Sequence, residues 1–331
     1  MKRIAIVGGG SWGTALAIVA ARAGHSVHLW SRSAEVVGSI NQSRVNPRYL
    51  SSTSIPANVI ATGDLGEAVH DAPMVLLAAP SHAARELLTA MSPLLDQTAI
   101  IVGVTKGIEI DTGRRISEIA KEVVEGSHSY VCLSGPSFAK EVVERHPTAI
   151  VAASKDAAAA RAVQNDYSFE NLRIYTNADV IGTELGGSVK NVMAIAAGMT
   201  AGLGFGSNSV AALITRGLAE ITRLARREGA QVETLMGLAG LGDLVLTCTG
   251  SLSRNRFVGE ELGKGRTLEE ITSELSEVAE GIKTARAVKK LADRAGLEMP
   301  ITNEVNAVLY DGKPARDAVA ELMSRPLKEE V

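Results

Sequence analysis

The sequence predicts an α/β chain, with an N-terminal doubly wound sheet followed by an all-α C-terminal region. Three observations carry that prediction. The chain opens on a short apolar run, a glycine-spaced turn and a helix-like segment. Apolar runs and helical patterns then alternate up to about residue 180, the signature of a mostly parallel sheet. Beyond that point strand-like runs cease, and apolar residues recur at helical spacing, as in Val210, Leu213, Ile214, Leu218, Ile221 and Leu224. A chain of 331 residues is long enough for two domains. The change of pattern places them at 1–185 and 186–331.

The opening run Ile4–Val7 reads as a buried strand. Gly8, Gly10 and Gly13 follow in Gly-x-Gly-x-x-Gly spacing, and Thr14–Ala23 has a helix-like composition. Strand, glycine turn and helix in that order is the context in which this spacing signifies dinucleotide binding. Gly8 permits the tight turn, Gly10 lets the backbone approach a pyrophosphate, and Gly13 lets helix and strand pack closely. Further strands are expected at Val27–Trp30, Met74–Ala78, Ala99–Val104, Tyr130–Leu133 and Thr148–Ala152, with helices including Ala83–Met91 and Arg114–Val124. In the C-terminal region Thr267-x-x-Glu270 has the form of a capping box, and Ala279–Ala295 and Asn303–Leu309 read as helices. Ligands of doubly wound sheets sit outside the carboxyl ends of the strands. The loops at Ala79–Ser81, Lys106–Gly107 and Ser134–Pro136 therefore become candidates for a site.

Composition narrows the class. A net charge of −3 with 3% aromatics gives no electrostatic or stacking case for nucleic acid or an anionic membrane. The two cysteines, Cys132 and Cys248, lack C-x-x-C neighbours, so they read as buried thiols in a reducing compartment and no metal site is expected. Two stretches lack charge, Ile4–Ala21 and Asn191–Thr215. Their glycines argue for buried segments of a soluble fold rather than membrane spans. No export signal is visible at the N-terminus.

The second strand bears on the choice of dinucleotide. NAD readers usually place Asp or Glu at its end, on the ribose 2′-hydroxyl. Here Ser31, Arg32 and Ser33 follow, and Glu35 is the first acidic residue. Arg32 suits a 2′-phosphate or stacks on adenine, which favours NADP(H), with NAD(H) tolerated.

Four polar clusters interrupt apolar or glycine-rich sequence: Thr105–Lys106–Gly107, Ser134–Ala139, Glu184–Asn191, and Gly240–Asp243 with Thr247 and Ser253–Arg256. Lys190 sits in a weakly charged stretch, so it is expected to be buried with a lowered pKa, the condition for proton exchange near neutrality. Arg254 with Asn255 suits a phosphate, because the guanidinium fork offers paired donors. Asn191 and Thr247 are secondary candidates for substrate hydroxyls. The bland readings are a helix cap for Asp243, close packing for Gly240–Gly242, and a turn residue for Ser134.

Gly-x-Gly-Ser-Trp-Gly-Thr-Ala-Leu-Ala, Thr-Lys-Gly-Ile, Ser-Gly-Pro-Ser-Phe-Ala, Glu-Leu-Gly-Gly-Ser-Val-Lys-Asn-Val, Gly-Leu-Ala-Gly-Leu-Gly-Asp-Leu and Leu-Ser-Arg-Asn-Arg occur in that order. Together they resemble the NAD(P)-dependent sn-glycerol-3-phosphate dehydrogenases of the bacterial type, from Lys2 to at least Ala307. The resemblance implies a Rossmann half and a helical half, a homodimer, and interconversion of dihydroxyacetone phosphate and sn-glycerol 3-phosphate for phospholipid synthesis. It further implies cofactor contacts at Ser11, Trp12, Arg32, Lys106, Ala139, Arg254, Val278 and Glu280. Substrate-side positions follow at Lys106, Gly135, Ser137, Lys190, Asp243, Ser253, Arg254 and Asn255, with Lys190 as proton acceptor. Two other readings stand beside it: a β-hydroxyacid or ketopantoate-type reductase, which takes a carboxylate, and a non-catalytic redox sensor, which needs no Lys106, Lys190 and Asp243 together.

Overall fold

The computed structural model describes residues 1–275, 279–327 and 329. The chain forms two compact units, Met1–Lys106 with Arg114–Glu184, and Gly107–Gly113 with Leu185–Val331.

The first unit is built on one eight-stranded sheet: β1 (Arg3–Val7), β2 (Ser26–Trp30), β3 (Val59–Thr62), β4 (Met74–Leu77), β5 (Ile100–Gly103), β6 (Tyr130–Ser134), β7 (Thr148–Ala153) and β8 (Leu172–Asn177). Their order is β3-β2-β1-β4-β5-β6-β7-β8. Every pair is parallel except β6 with β7. Helices α1 (Ser11–Arg22), α2 (Ala34–Ser43), α3 (Leu65–Val69), α4 (Ala84–Met91), α5 (Ile116–Val123), α6 (Ala139–Val143) and α7 (Ala157–Tyr167) complete it. Alternation along β1 explains the layering: Ile4 and Ile6 join one apolar cluster with Leu16 and Leu29, while Ala5 and Val7 join the other with Val75 and Leu77. A strand buried on both faces needs no polar residue, which is why these runs are continuously apolar. The six expected strands lie in this sheet with ends shifted by one or two residues. β3 and β8 are additional.

The order reverses direction between β1 and β4, the switch point at which such sheets bind ligands. Gly8 sits there with φ +129°, and a Cβ on it would lie 2.5 Å from Ala78 O. A Cβ on Gly13 would lie 1.9 Å from Gly8 O. Neither position tolerates a side chain.

The helix α8 (Val180–Gly202) contributes Glu184 to the first unit and Lys190 to the second. The second unit continues with α9 (Ser207–Arg227), α10 (Val232–Met236), a π-helical turn at Leu238–Gly242, α11 (Asp243–Thr249), α12 (Arg254–Gly263), α13 (Leu268–Glu274), α14 (Glu280–Ala295), α15 (Pro300–Tyr310) and α16 (Ala315–Ser324). Thr267 and Glu270 form the anticipated reciprocal cap on α13. Glu220, buried in α9, accepts hydrogen bonds from Ile301 N at 2.7 Å and Thr302 N at 3.3 Å at the start of α15. Burial pushes its carboxyl pKa up.

Glycines let α8 and α12 meet backbone to backbone. A Cβ on Gly198 would lie 2.0 Å from Arg256 O, on Gly202 2.1 Å from Glu260 O, and on Gly259 1.9 Å from Ile195 O. Asn191–Thr200 is fully buried, but burial ends there: Gly204–Ser209, Ala211 and Ala212 are exposed. The expectation of a buried Asn191–Thr215 therefore holds only for its α8 part, because the start of α9 faces outward. Among the described residues no helix is long and apolar enough to cross a membrane.

Candidate active site

In the first unit the predicted cofactor residues gather at the carboxyl ends of the strands. Gly10 caps α1 with φ −78°, and a Cβ there would meet nothing within 4 Å. Backbone strain and protein packing thus fail to explain a glycine at this position, whereas close approach of a ligand does. Ser11 opens α1, and Trp12 packs half-buried against the core. Beyond β2, Ser31 Oγ accepts from Ser33 N and Ser33 Oγ accepts from Val36 N, capping α2. This compact turn carries an exposed Arg32. The residues present fit a dinucleotide: an open glycine turn at a helix N-terminus for the pyrophosphate and a guanidinium at the end of β2.

Lys106, after β5, donates from Nζ to Gly135 O at 3.0 Å. Ser137 Oγ donates to the same carbonyl at 3.0 Å. Gly135 has φ +137°, and a Cβ would press on Ile150 Cα at 3.0 Å. Thr105 Oγ1 donates to Ala79 O at 2.7 Å, joining the loops after β4 and β5. Ala139 opens α6. Ser134 is buried at the end of β6, within the strand rather than in a turn.

Close by in sequence lies a buried network that sequence reasoning missed. Glu184 accepts from Arg115 Nη1 at 3.1 Å, Ser117 N at 2.8 Å, Ser117 Oγ at 2.5 Å and Tyr130 Oη at 3.0 Å. Burial raises the Glu184 pKa against these donors, and raises that of the Tyr130 hydroxyl. Gly103 makes room for it, since a Cβ there would lie 2.0 Å from Tyr130 Oη.

In the second unit Lys190 is 5% exposed and Asp243 1%. Lys190 Nζ lies 2.5 Å from Asp243 Oδ1 and 2.7 Å from Thr247 Oγ1. The Thr247 hydroxyl donates onward to Asp243 O at 2.6 Å. Asp243 and Thr247 stand one turn apart on α11, so both face the lysine on α8. A charged pair this deep persists only when each partner is hydrogen-bonded. The Asp243 carboxylate is turned to Lys190; Gly242 occupies the N-cap position of α11. Gly240 does permit close packing, a Cβ there falling 2.1 Å from Leu235 O.

Ser253 caps α12, its Oγ accepting from Arg256 N at 3.2 Å. Arg254 is exposed in the first turn. Asn255 Oδ1 accepts from Gly281 N at 2.9 Å, so it fastens α14 to α12. Asn191 is buried on the same side, its carbonyl 2.7 Å from a Cβ placed on Gly281. Glu280 opens α14. Val278 lies outside the described residues. Burial pushes the Cys248 thiol up to about 12 and that of Cys132 well above its ordinary value, which makes both unreactive. Among the described residues no three His, Cys, Asp or Glu side chains are grouped to hold a metal.

The chain matches the family models described as NAD-dependent glycerol-3-phosphate dehydrogenase N-terminus over residues 3–160 and C-terminus over residues 179–320. It is 54% identical to a glycerol-3-phosphate dehydrogenase (NAD(P)+) of Koribacter versatilis (strain Ellin345), covering 100% of this chain and 99% of the relative. It is 50% identical to one from Geobacter sp. (strain M21), covering 99% of each. A crystal structure of glycerol-3-phosphate dehydrogenase from Coxiella burnetii superposes with a TM-score of 0.95 at 41% identity, over 98% of this chain and 99% of that one.

Proposed function

The chain belongs to the NAD-dependent glycerol-3-phosphate dehydrogenase family, and from that premise we propose that it interconverts dihydroxyacetone phosphate and sn-glycerol 3-phosphate, with Lys190 handling the proton. The observation that carries this reading is the buried Lys190 held by Asp243 and Thr247. The cofactor is NAD(P)(H), and when bound in reduced form it supplies the hydride for C2. We further propose that Gly8, Gly10, Ser11, Trp12, Gly13, Arg32 and Ala139 hold it, with NADP(H) favoured by Arg32.

Each protein group then has a task set by its chemistry. Negative charge develops on the C2 oxygen as the carbonyl is reduced. The Lys190 ammonium stabilises that charge and delivers the proton; in reverse the amine accepts it. Asp243 and Thr247 fix the direction of Nζ. Lys106, fastened to Gly135 O, brings positive charge to the loops at the carboxyl ends of the strands. Ser253, Arg254 and Asn255 begin α12, where N–H groups and the helix dipole suit a phosphate. Asn255 Oδ1 is already engaged by Gly281, so on this reading its amide NH2 is the group that meets the phosphate. On this reading residues 1–185 serve the cofactor and 186–331 the substrate and the proton, in a cytoplasmic homodimer feeding phospholipid synthesis.

The test is loss of NADPH absorbance with dihydroxyacetone phosphate, beside unphosphorylated dihydroxyacetone and ketopantoate. Turnover confined to the phosphorylated ketone is expected. Turnover with ketopantoate alone moves the chain to the carboxylate reductases. Tight NADPH binding with no turnover leaves a redox sensor.

A further inference from the structure

We infer that Asn46 is a positioning residue that sets the direction of the Gly9–Gly10 peptide and so controls the affinity of the glycine turn for a dinucleotide pyrophosphate. This rests on the reading that the turn binds the cofactor. Asn46 lies in the loop after α2 and is 0% exposed. Its Nδ2 donates to Gly9 O at 2.9 Å and to Thr14 Oγ1 at 2.8 Å. Its Oδ1 accepts from Arg48 N at 3.3 Å. One buried amide thus joins the turn, the first helix and its own loop.

The consequence follows from peptide geometry. A trans peptide points its C=O and N–H to opposite sides, and among the described residues no peptide bond is cis. Anchoring Gly9 O to Asn46 therefore aims Gly10 N–H away from Asn46. Two adjacent glycines have little steric resistance to rotation of the peptide between them. The bond from Asn46 supplies the resistance that side chains would otherwise give. Released, the peptide can turn its carbonyl oxygen outward, and an acceptor in place of a donor repels an anion.

The experiment compares dissociation constants for NADPH and for 2′-AMP, which carries the adenosine and 2′-phosphate but no pyrophosphate. Asn46→Asp keeps shape and loses the donor; Asn46→Ala is the second variant, and either one that folds serves. NADPH affinity is expected to fall about tenfold, the worth of a well-made hydrogen bond, with 2′-AMP affinity unchanged. Thr14→Ala removes the other Nδ2 partner and should leave both affinities as they were, whatever it does to the Tm. Equal weakening of both ligands, or unchanged NADPH affinity, overturns the inference. Gly10→Val separates the two levels, because no protein atom lies within 4 Å of a Cβ at this position. If it binds NADPH like the parent, the turn is not the cofactor site and the underlying reading fails. If it loses NADPH while the Asn46 variants do not, only the role of Asn46 fails.

Discussion

Lys190 and Asp243 form a pair in which each charge is tolerable only because of the other. Removing Lys190 leaves a carboxylate that is 1% exposed without its cation, at a cost of about 3–5 kcal/mol. Lys190→Ala should therefore lower turnover by roughly a hundredfold or more, as loss of a general acid–base does, and also lower the Tm. Adding Asp243→Ala should return part of the Tm and none of the turnover. NADPH binding measured on the same proteins should persist in both. Turnover recovering with stability would mean that the lysine serves only the fold. Arg32 presents the opposite case, an exposed side chain at the end of β2. Arg32→Asp should shift the ratio of kcat/KM for NADPH over NADH toward NADH at unchanged Tm; an unaltered ratio removes Arg32 from 2′-phosphate reading.

At the level of elements, the α8–α12 contact depends on glycine. Gly198→Ala puts a carbon 2.0 Å from Arg256 O, so the helices must separate, costing about 1–3 kcal/mol. Gly38 is the control. It lies inside α2 with nothing within 4 Å of a Cβ, and Gly38→Ala should stabilise by about 0.5–1 kcal/mol. Chemical denaturation of the two variants should give opposite signs. Helix α7 provides a pH test. Asp156 caps it, accepting from Ala158 N at 2.8 Å and from Ser129 Oγ at 2.6 Å. These bonds hold its carboxyl below the ordinary 3.8. A lowered folded pKa gives stability that is complete above the unfolded value and lost as pH falls through the folded one. The Tm gap between the parent and Asp156→Ala should be full at pH 7 and shrink below about pH 3.8. A gap independent of pH would mean that the cap does not depend on the carboxylate.

For the whole molecule, the division into a sheet-based unit and a helical unit was legible because periodicity is a regional property, and the glycine turn was legible because its demands are local. The two strands that escaped, β3 and β8, are the two edges of the sheet. β8 keeps one face in water and alternates, with Arg173 and Tyr175 exposed between Leu172 and Ile174, and β3 is only four residues long. The identity of Lys190 as an unusual cation was readable from its charge-free surroundings, but its partners lie 53 and 57 residues away and no spacing rule connects them. Asn46, and the partners of Glu184, were invisible for the same reason, since Asn46 and Glu184 act on groups that only the folded chain brings near. The proposed homodimer predicts a sedimentation-equilibrium mass twice the 34.6 kDa of the chain; a mass of one chain would confine the proposed activity to a single copy. Most helix pairs are separated by side chains that hop between rotamers as temperature rises, and those hops act as slack. In the seam between α8 and α12, Gly198, Gly202 and Gly259 stand directly against facing backbone, so these approaches have no rotamers of their own to excite. Lys190 on one helix and Arg254 on the other therefore stand on a mount with little thermal play, and their spacing should drift less with temperature than that of residues joined through leucine and methionine.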